Sequence, residues 1–379
     1  MDEQEYNSLA AALADVPDPR QARGKRHAWS LILVLIGAAL VSGQRNVRAI
    51  GQWVAERHEE LATLLHPPRG RLPSTPTFRR ALRAVDIDAL ERRIAASTSP
   101  GPAPTSPRWA GQAMDGKAVR GANTHGAQVH LVSLVRHHDG VVLGQVRVAD
   151  KSNEITASPR LLAGRDLRGT VTTMDALLTQ RGLAAQIRRQ GGHYLMAVKE
   201  NQPALYTAIH RLFSEPVIPL ASDCAATSTC TEKGHGRLET RTLERSAALN
   251  DYLDWPDVGQ VLRRTYRAVD LSTGAVHQEV TYGLTSLPPQ EASVEEVALL
   301  WREHWTIENR VHYPRDVSLG EDAGQVRVGN APQALAALRN GVLNLLRGQG
   351  WASIADALRH FGAYAARALR LLGALPARL

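Results

Sequence analysis

Between residues 301 and 322 the sequence reads WREHWTIENRVHYPRDVSLGED, which crowds imidazole, carboxylate, amide and guanidinium groups onto a helical template. Val297, Leu300, Trp301, His304, Trp305 and Glu308 recur at spacings of three and four, so most of them share one face of a helix predicted over 293–313. Leu299, Leu300, Trp301, Trp305 and Ile307 give that helix apolar surface to bury. His304 and Glu308 stand at i and i+4, and side chains at that spacing are neighbours that can address one point in space. Asn309 sits beside Glu308. Arg315 follows about two turns later, with Pro314 predicted to interrupt the winding.

This pattern resembles the glutamate helix of the DDE transposases of bacterial insertion sequences. In one branch of them the helix reads Tyr-x-x-Arg-Trp-x-Ile-Glu, with a Lys after six further residues. Here Trp301 stands for the Tyr and His304 for the Arg, while Trp305, Ile307 and Glu308 match and Arg315 stands for the Lys. The continuation IENRVHYPRDVSLGEDAGQVRVGNAP resembles the H-repeat-associated type within that branch. Other stretches strengthen the resemblance, namely PDPRQARG (17–24), DGKAVRG (115–121), VLGQ and KSNEI within 142–155, TMDA (173–176), KENQ (199–202) and GHGRLETR (234–241). Together they cover most of the chain from about residue 10 to 348. The resemblance implies Asp115, Asp175 and Glu308 as catalytic residues and metal ligands, with Trp301, His304, Trp305 and Asn309 in support.

Each aspartate has a plain reading by itself. Asp115 before Gly116 suits a turn, and Asp175 ahead of an apolar helix suits an N-cap. Three carboxylates from separate elements make chemical sense together when they share a cation. Magnesium prefers oxygen ligands and keeps several waters, so a few carboxylates and a substrate phosphate suffice. Two ions, Mg2+ or Mn2+, could stabilise the attacking and leaving oxygens of an in-line phosphodiester displacement. The resemblance then implies cleavage at the ends of an insertion sequence and strand transfer into target DNA. Water is the first nucleophile and a DNA 3′-hydroxyl the second, with no covalent protein–DNA intermediate. Candidate holders of DNA phosphates are Arg315, ranked first, then Lys117, Arg120, Lys151, Lys199, Arg237 and Arg241. Double-stranded DNA is the expected partner and a homodimer on DNA the expected assembly. Two rival readings are a non-catalytic DNA-binding protein derived from a transposase and a metal-dependent nuclease without strand transfer.

The elements that must position these residues begin with a helical region over 1–105. It contains a short helix around Ala10–Leu13, a buried helix over Trp29–Val41 and a helix from Val47 to Leu65 ended by Pro67 and Pro68. Ser74-Thr75-Pro76-Thr77 supplies capping residues for a further helix carrying Arg79, Arg80 and Arg83. Two helices joined by a short connection, the second basic, suggest a helix-turn-helix DNA reader. A surface helix of a small bundle is the plainer alternative. Residues 99–107 read as a Pro/Ser/Thr-rich linker. Over 109–202 the pattern alternates strand and helix: a short strand ending at Asp115, a hairpin over Val129–Val148, a helix, a strand ending at Asp175, a helix, and a strand over His193–Val198. That is the order of an RNase H-like mixed sheet flanked by helices, with the first and fourth strand ends side by side. Residues 203–290 read as a β-rich insertion, and 291–379 as the glutamate helix followed by apolar, arginine-bearing helices.

Composition agrees with a polyanion-binding protein. The 379 residues carry 45 Lys+Arg against 37 Asp+Glu, a net charge of +8. Neutralising phosphates releases condensed counterions, so such a balance favours nucleic acid. At 44% hydrophobic the chain can bury sizeable cores. Two cysteines give no disulfide framework, which fits a cytoplasmic protein associated with the nucleoid when bound to DNA. Cys224, Cys230 and His235 match no tight zinc-ligand spacing. The longest apolar run, Trp29–Val41, is shorter than the ~20 residues a membrane helix needs.

Overall fold

The computed structural model describes residues 8–23, 25–97, 108–124, 127–149, 153–214, 226–234 and 236–376. The linker at 99–107, Lys151, Cys224 and His235 lie outside them. The chain forms two units. One comprises Met1–Ala103, Gly116–Ser152 and Thr306–Leu379, the other Pro104–Asp115 and Asn153–Trp305.

The first unit opens with helices α1 (Leu9–Ala14), α2 (Trp29–Val41), α3 (Val47–Glu56), α4 (His58–Leu65), α5 (Thr75–Ala84) and α6 (Ile87–Ala96). Helix α2 is apolar on every side and buried on nearly every side, as the absence of a polar stripe requires. The helix predicted from Val47 to Leu65 divides at Arg57. Strand β1 (Ala110–Thr124) then runs straight through Asp115-Gly116-Lys117, where the sequence predicts a turn, and so belongs to both units. Its second half lies beside β2 (Ala127–Arg136), which pairs antiparallel with β3 (Val142–Arg147).

The second unit holds α7 (Glu154–Leu162), β4 (Thr170–Met174), α8 (Arg181–Arg189), β5 (His193–Val198) and α9 (Pro203–Ser214). The first half of β1 pairs parallel with β4, and β4 parallel with β5. A meander follows: β6 (Ala226–Gly234), β7 (Arg237–Ser246), β8 (Gln260–Asp270) and β9 (Val276–Thr285). Its strands extend the same sheet, because β9 pairs antiparallel with β5, giving the order β1-β4-β5-β9-β8-β7-β6. Helix α10 (Val294–Glu303) starts with a capping box formed by Ser293 and Glu296. It buries Val297, Leu300 and Trp301 against Val171, Leu195, Leu243 and Leu262 of the sheet. Gly283 on β9 is required there, since a Cβ would meet the Trp301 ring at 2.6 Å.

The first unit closes with α11 (Ala331–Gly348), α12 (Ile354–Gly362) and α13 (Ala365–Leu372). Helix α11 is the hub: it packs on α2, α5 and α6 as well as on β2 and β3. The N-terminal helices therefore share a core with the C-terminal ones, and the predicted boundary near residue 105 does not delimit a core of its own. The whole is a mixed α/β fold with a large mixed sheet flanked by helices.

Candidate active site

In the second unit the parallel register pairs Met114 with Met174. Asp115 is the next residue of β1 and Asp175 the first beyond β4, so the two carboxylates leave neighbouring backbones ~5 Å apart at about one level of the sheet. Both side chains are half-buried. Asp175 Oδ1 accepts from Leu178 N at 3.0 Å, so it caps the turn after β4, whereas the N-cap of α8 is Gln180. That turn is tied down from the KENQ stretch and from Thr179. Asn201 Nδ2 donates to Ala176 O at 2.8 Å and Gln202 Nε2 to Thr179 O at 3.0 Å. Thr179 Oγ1 bridges Ala197 O and Asp175 O. Two residues before Asp175, Thr173 Oγ1 lies 2.9 Å from His304 Nδ1.

In the first unit Glu308 begins a segment wound in wider, π-type turns over Glu308–His312 and Pro314–Ser318. Such windings are rare and gather at functional sites. Proline causes part of it. Pro314 has no N–H for the carbonyl of Arg310, and Arg347 on α11 donates to that carbonyl instead. The winding thus continues past Pro314 rather than stopping there. Glu308 is half exposed, and its Oε2 lies 3.0 Å from Nδ1 of the buried His312. That hydrogen bond, with a smaller contribution from the Lys117 charge, holds the Glu308 carboxyl below its ordinary range. Burial pushes the His312 imidazole down, favouring the neutral ring. A neutral ring that donates to the carboxylate carries its proton on Nδ1, which leaves Nε2 with the lone pair.

Several expectations from the sequence need correction. The helix predicted over 293–313 ends as α10 at Glu303. Trp301 is buried and lies under the guanidinium of Arg264, 5.0 Å from its ring, but Trp305 is 58% exposed and Leu299 also faces solvent. His304 is engaged with Thr173, and the imidazole hydrogen-bonded to Glu308 is that of His312. Asn309 is exposed. Arg315, ranked first for phosphate, is 0% exposed. Its guanidinium meets Glu321 at 2.6 Å and Gln145 Oε1 at 3.1 Å, so it anchors the glutamate segment in the core. Lys117 is likewise buried, with Nζ 2.6 Å from Asp316.

The DGKAVRG stretch works as a fastener: Lys117 holds Asp316, and Arg120 N donates to Asp322 Oδ1 at 3.1 Å. Gly121 lies so close to the following loop that a Cβ would fall 1.9 Å from Gly324 O. The Arg120 side chain itself is exposed, as are Lys199, Arg237, Arg79, Arg80 and Arg83. Arg241 shares its charge with Glu232 and Glu239 and stacks over Tyr266. His312, Asn201, Gln202 and Glu321 were not singled out by sequence reasoning. Matched stretches carried the only signal for them, KENQ for Asn201 and Gln202 and the run 307–332 for His312 and Glu321.

Comparison with known proteins bears on these groups. The family described as Transposase DDE domain matches residues 84–345, and a second, DDE_Tnp_1-associated, matches residues 10–96. YncI, a candidate transposase of Escherichia coli O157:H7, is 31% identical over 358 residues, 90% of this chain and 87% of that one. YhhI, an H repeat-associated candidate transposase of Escherichia coli strain K12, is 28% identical over 361 residues, 90% of this chain and 91% of that one. Among solved structures, a cryo-EM structure of the piggyBac transposase synaptic complex with hairpin DNA aligns with a TM-score of 0.46 and 10% identity, covering 99% of this chain and 79% of that chain. The matched family spans the aspartate-bearing strands and the glutamate segment alike, and this chain belongs to the DDE transposases, of the H-repeat-associated type.

Proposed function

We propose that this protein cuts DNA at the ends of an insertion sequence and joins the freed 3′-hydroxyls to target DNA, with Asp115, Asp175 and Glu308 as its catalytic carboxylates. The observation that carries the reading is the shared register of β1 and β4, which brings two aspartates from distant parts of the sequence to one level of the sheet. The parallel run of β1, β4 and β5 supports an RNase H-like core. Hard oxygen donors side by side on neighbouring parallel strands suit Mg2+ or Mn2+. Asp115 and Asp175 would share one ion, and Glu308, with the His312 imidazole beside it, would offer donors for another. Bound there, two ions would supply charge stabilisation for the attacking and leaving oxygens.

The chain's own residues have separate tasks. His312 keeps Glu308 ionised and aimed, because its Nδ1–H donates a hydrogen bond to the carboxylate. Arg315 and Glu321 hold the glutamate segment to the core, and Asn201 and Gln202 hold the turn that aims Asp175. Arg120, Lys199 and Arg237 are exposed cations for duplex DNA. The protein acts as a homodimer on DNA, in the cytoplasm.

The test is magnesium-dependent cleavage and joining of a DNA end, beside a binding titration in calcium. Glu308→Gln keeps size but removes the charge an ion needs. Metal stabilisation is worth several kcal/mol, and each ~1.4 kcal/mol is about tenfold in rate. Cleavage should fall by orders of magnitude while affinity holds. Equal cutting by both proteins would remove Glu308 from the mechanism. Tight binding with no cutting by either would favour the non-catalytic reading.

A further inference from the structure

A groove of about 570 Å³ opens within the first unit between the start of α3, one side of α5 and the segment 323–331. Arg48, Arg79, Arg83 and Arg327 line it, with Asn46 and Gln325 among them, and none of its lining residues is acidic. All four arginines are exposed, and among the described residues none of them makes an ion pair. Arg327 Nε reaches only the carbonyl of Gly121, at 3.5 Å. The acid next to the segment, Asp322, is already engaged by the Arg120 backbone and lies 4.0 Å from Lys117. Four like charges around one cavity repel each other, and Arg79 and Arg83 do so at i,i+4 on one helix. Such a cluster is relieved by an anion that enters the groove.

The same geometry limits what the anion can be. Segment 323–331 lies along the side of α5 that carries Arg79 and Arg83: Asn330 Nδ2 donates to Val85 O at 2.9 Å, and a Cβ on Gly329 would lie 3.4 Å from Arg83 O. A recognition helix must project into a major groove to read base edges. This side of α5 is the wall of a cleft instead. Arg80, between the two arginines, is not among the lining residues and reaches Thr77 Oγ1 at 3.4 Å.

We infer that this groove grips the phosphodiester backbone of DNA through Arg48, Arg79, Arg83 and Arg327, adding affinity without reading sequence. The inference takes its ligand from the proposed function, but its test reads binding alone. The full chain and an Arg79→Ala/Arg83→Ala variant are titrated, without magnesium, against an element-end duplex, an unrelated duplex and a single strand over a range of salt. Each lost phosphate contact lowers the slope of log K against log salt by roughly 0.9 on duplex DNA and 0.7 on a single strand. The double variant should therefore lose nearly two units of slope and about tenfold in affinity, equally on both duplexes.

Arg79→Lys/Arg83→Lys should keep the slope. Arg92→Ala, an exposed arginine of α6, removes charge outside the groove and should keep it too. If the double alanine variant does not fold, Arg48→Ala/Arg327→Ala tests the opposite wall with the same expectation. A folded variant with an unchanged slope overturns the inference, and so does a loss confined to the element end, which would mean base reading. A loss on either duplexes or single strands supports it, and the form that loses more is the one the groove holds. Wild type that binds but never cuts would sink the proposed function and leave the groove standing.

Discussion

Arg315 shows how a residue in a chemical motif can act by burial rather than by touching a substrate. Its guanidinium and the Glu321 carboxylate are both 0% exposed, and Arg339 approaches the same carboxylate at 3.2 Å. A buried charge is tolerable only while paired, so removing one partner strands the other. Arg315→Ala is expected to cost about 3–5 kcal/mol in urea unfolding. Arg315→Lys should restore only part of it, because an ammonium cannot reproduce the planar fork that meets Glu321 and Gln145 together. Loss of less than ~1 kcal/mol would mean that the pair is dispensable. Asn201 belongs to a different class. Asn201→Ala removes one hydrogen bond to the turn after Asp175, which contributes about 1 kcal/mol. Cleavage should fall with DNA affinity intact, and a drop in affinity alone would assign Asn201 to DNA instead.

At the scale of elements, the parts that periodicity governs were legible. Helix α2 covers the predicted run Trp29–Val41, and β5 covers His193–Val198, because a continuous apolar stretch has one low-energy place to go. Asp115 and Asp175 side by side were also legible, since parallel strands joined through a helix leave few registers. Strand β1 was not. Asp-Gly-Lys carries a turn signal, and only tertiary pairing with β2 and the Lys117–Asp316 contact hold it extended. The partner of Glu308 was misread for a related reason. An α-helical wheel assigns His304, but α10 stops at Glu303 and the chain rewinds in π-type turns that no local propensity announces. Pro314→Ala tests that winding. The new N–H could bond Arg310 O, displace Arg347 and let an α-turn form, shifting Glu308 by about one residue of register against its anchor at Arg315. Stability should stay within ~1 kcal/mol, the value of one such bond. Cleavage should fall at least tenfold, and wild-type cutting would make the winding incidental.

Across the molecule as a whole, one buried polar network reaches from the glutamate segment to the N-terminal helices, and it makes stability depend on pH. Gln145 Oε1 accepts from Arg315 and Asn340, while Gln145 Nε2 donates to Glu91 on α6 at 3.0 Å. Gln333 of α11 donates to the same Glu91 oxygen at 2.9 Å. Burial pushes the Glu91 carboxyl up from 4.5 to about 7, and the two amides only partly oppose it. In the unfolded chain this group ionises near its ordinary value. Between those two pH values the folded state keeps a proton that the unfolded state releases, so stability falls as pH rises. The contribution is fully present below about 4.5, is lost progressively through about 7, and stays lost above that. At ~1.4 kcal/mol per pH unit the loss is at most roughly 3 kcal/mol. Glu91→Gln keeps an oxygen to accept both amides and cannot ionise. Urea unfolding at pH 5 and pH 8 should therefore show wild type losing stability at the higher pH relative to Glu91→Gln, with the two proteins close at the lower one. Parallel pH dependence in the two proteins would mean that Glu91 stays ionised in the fold, with its charge carried by Arg315 through the network.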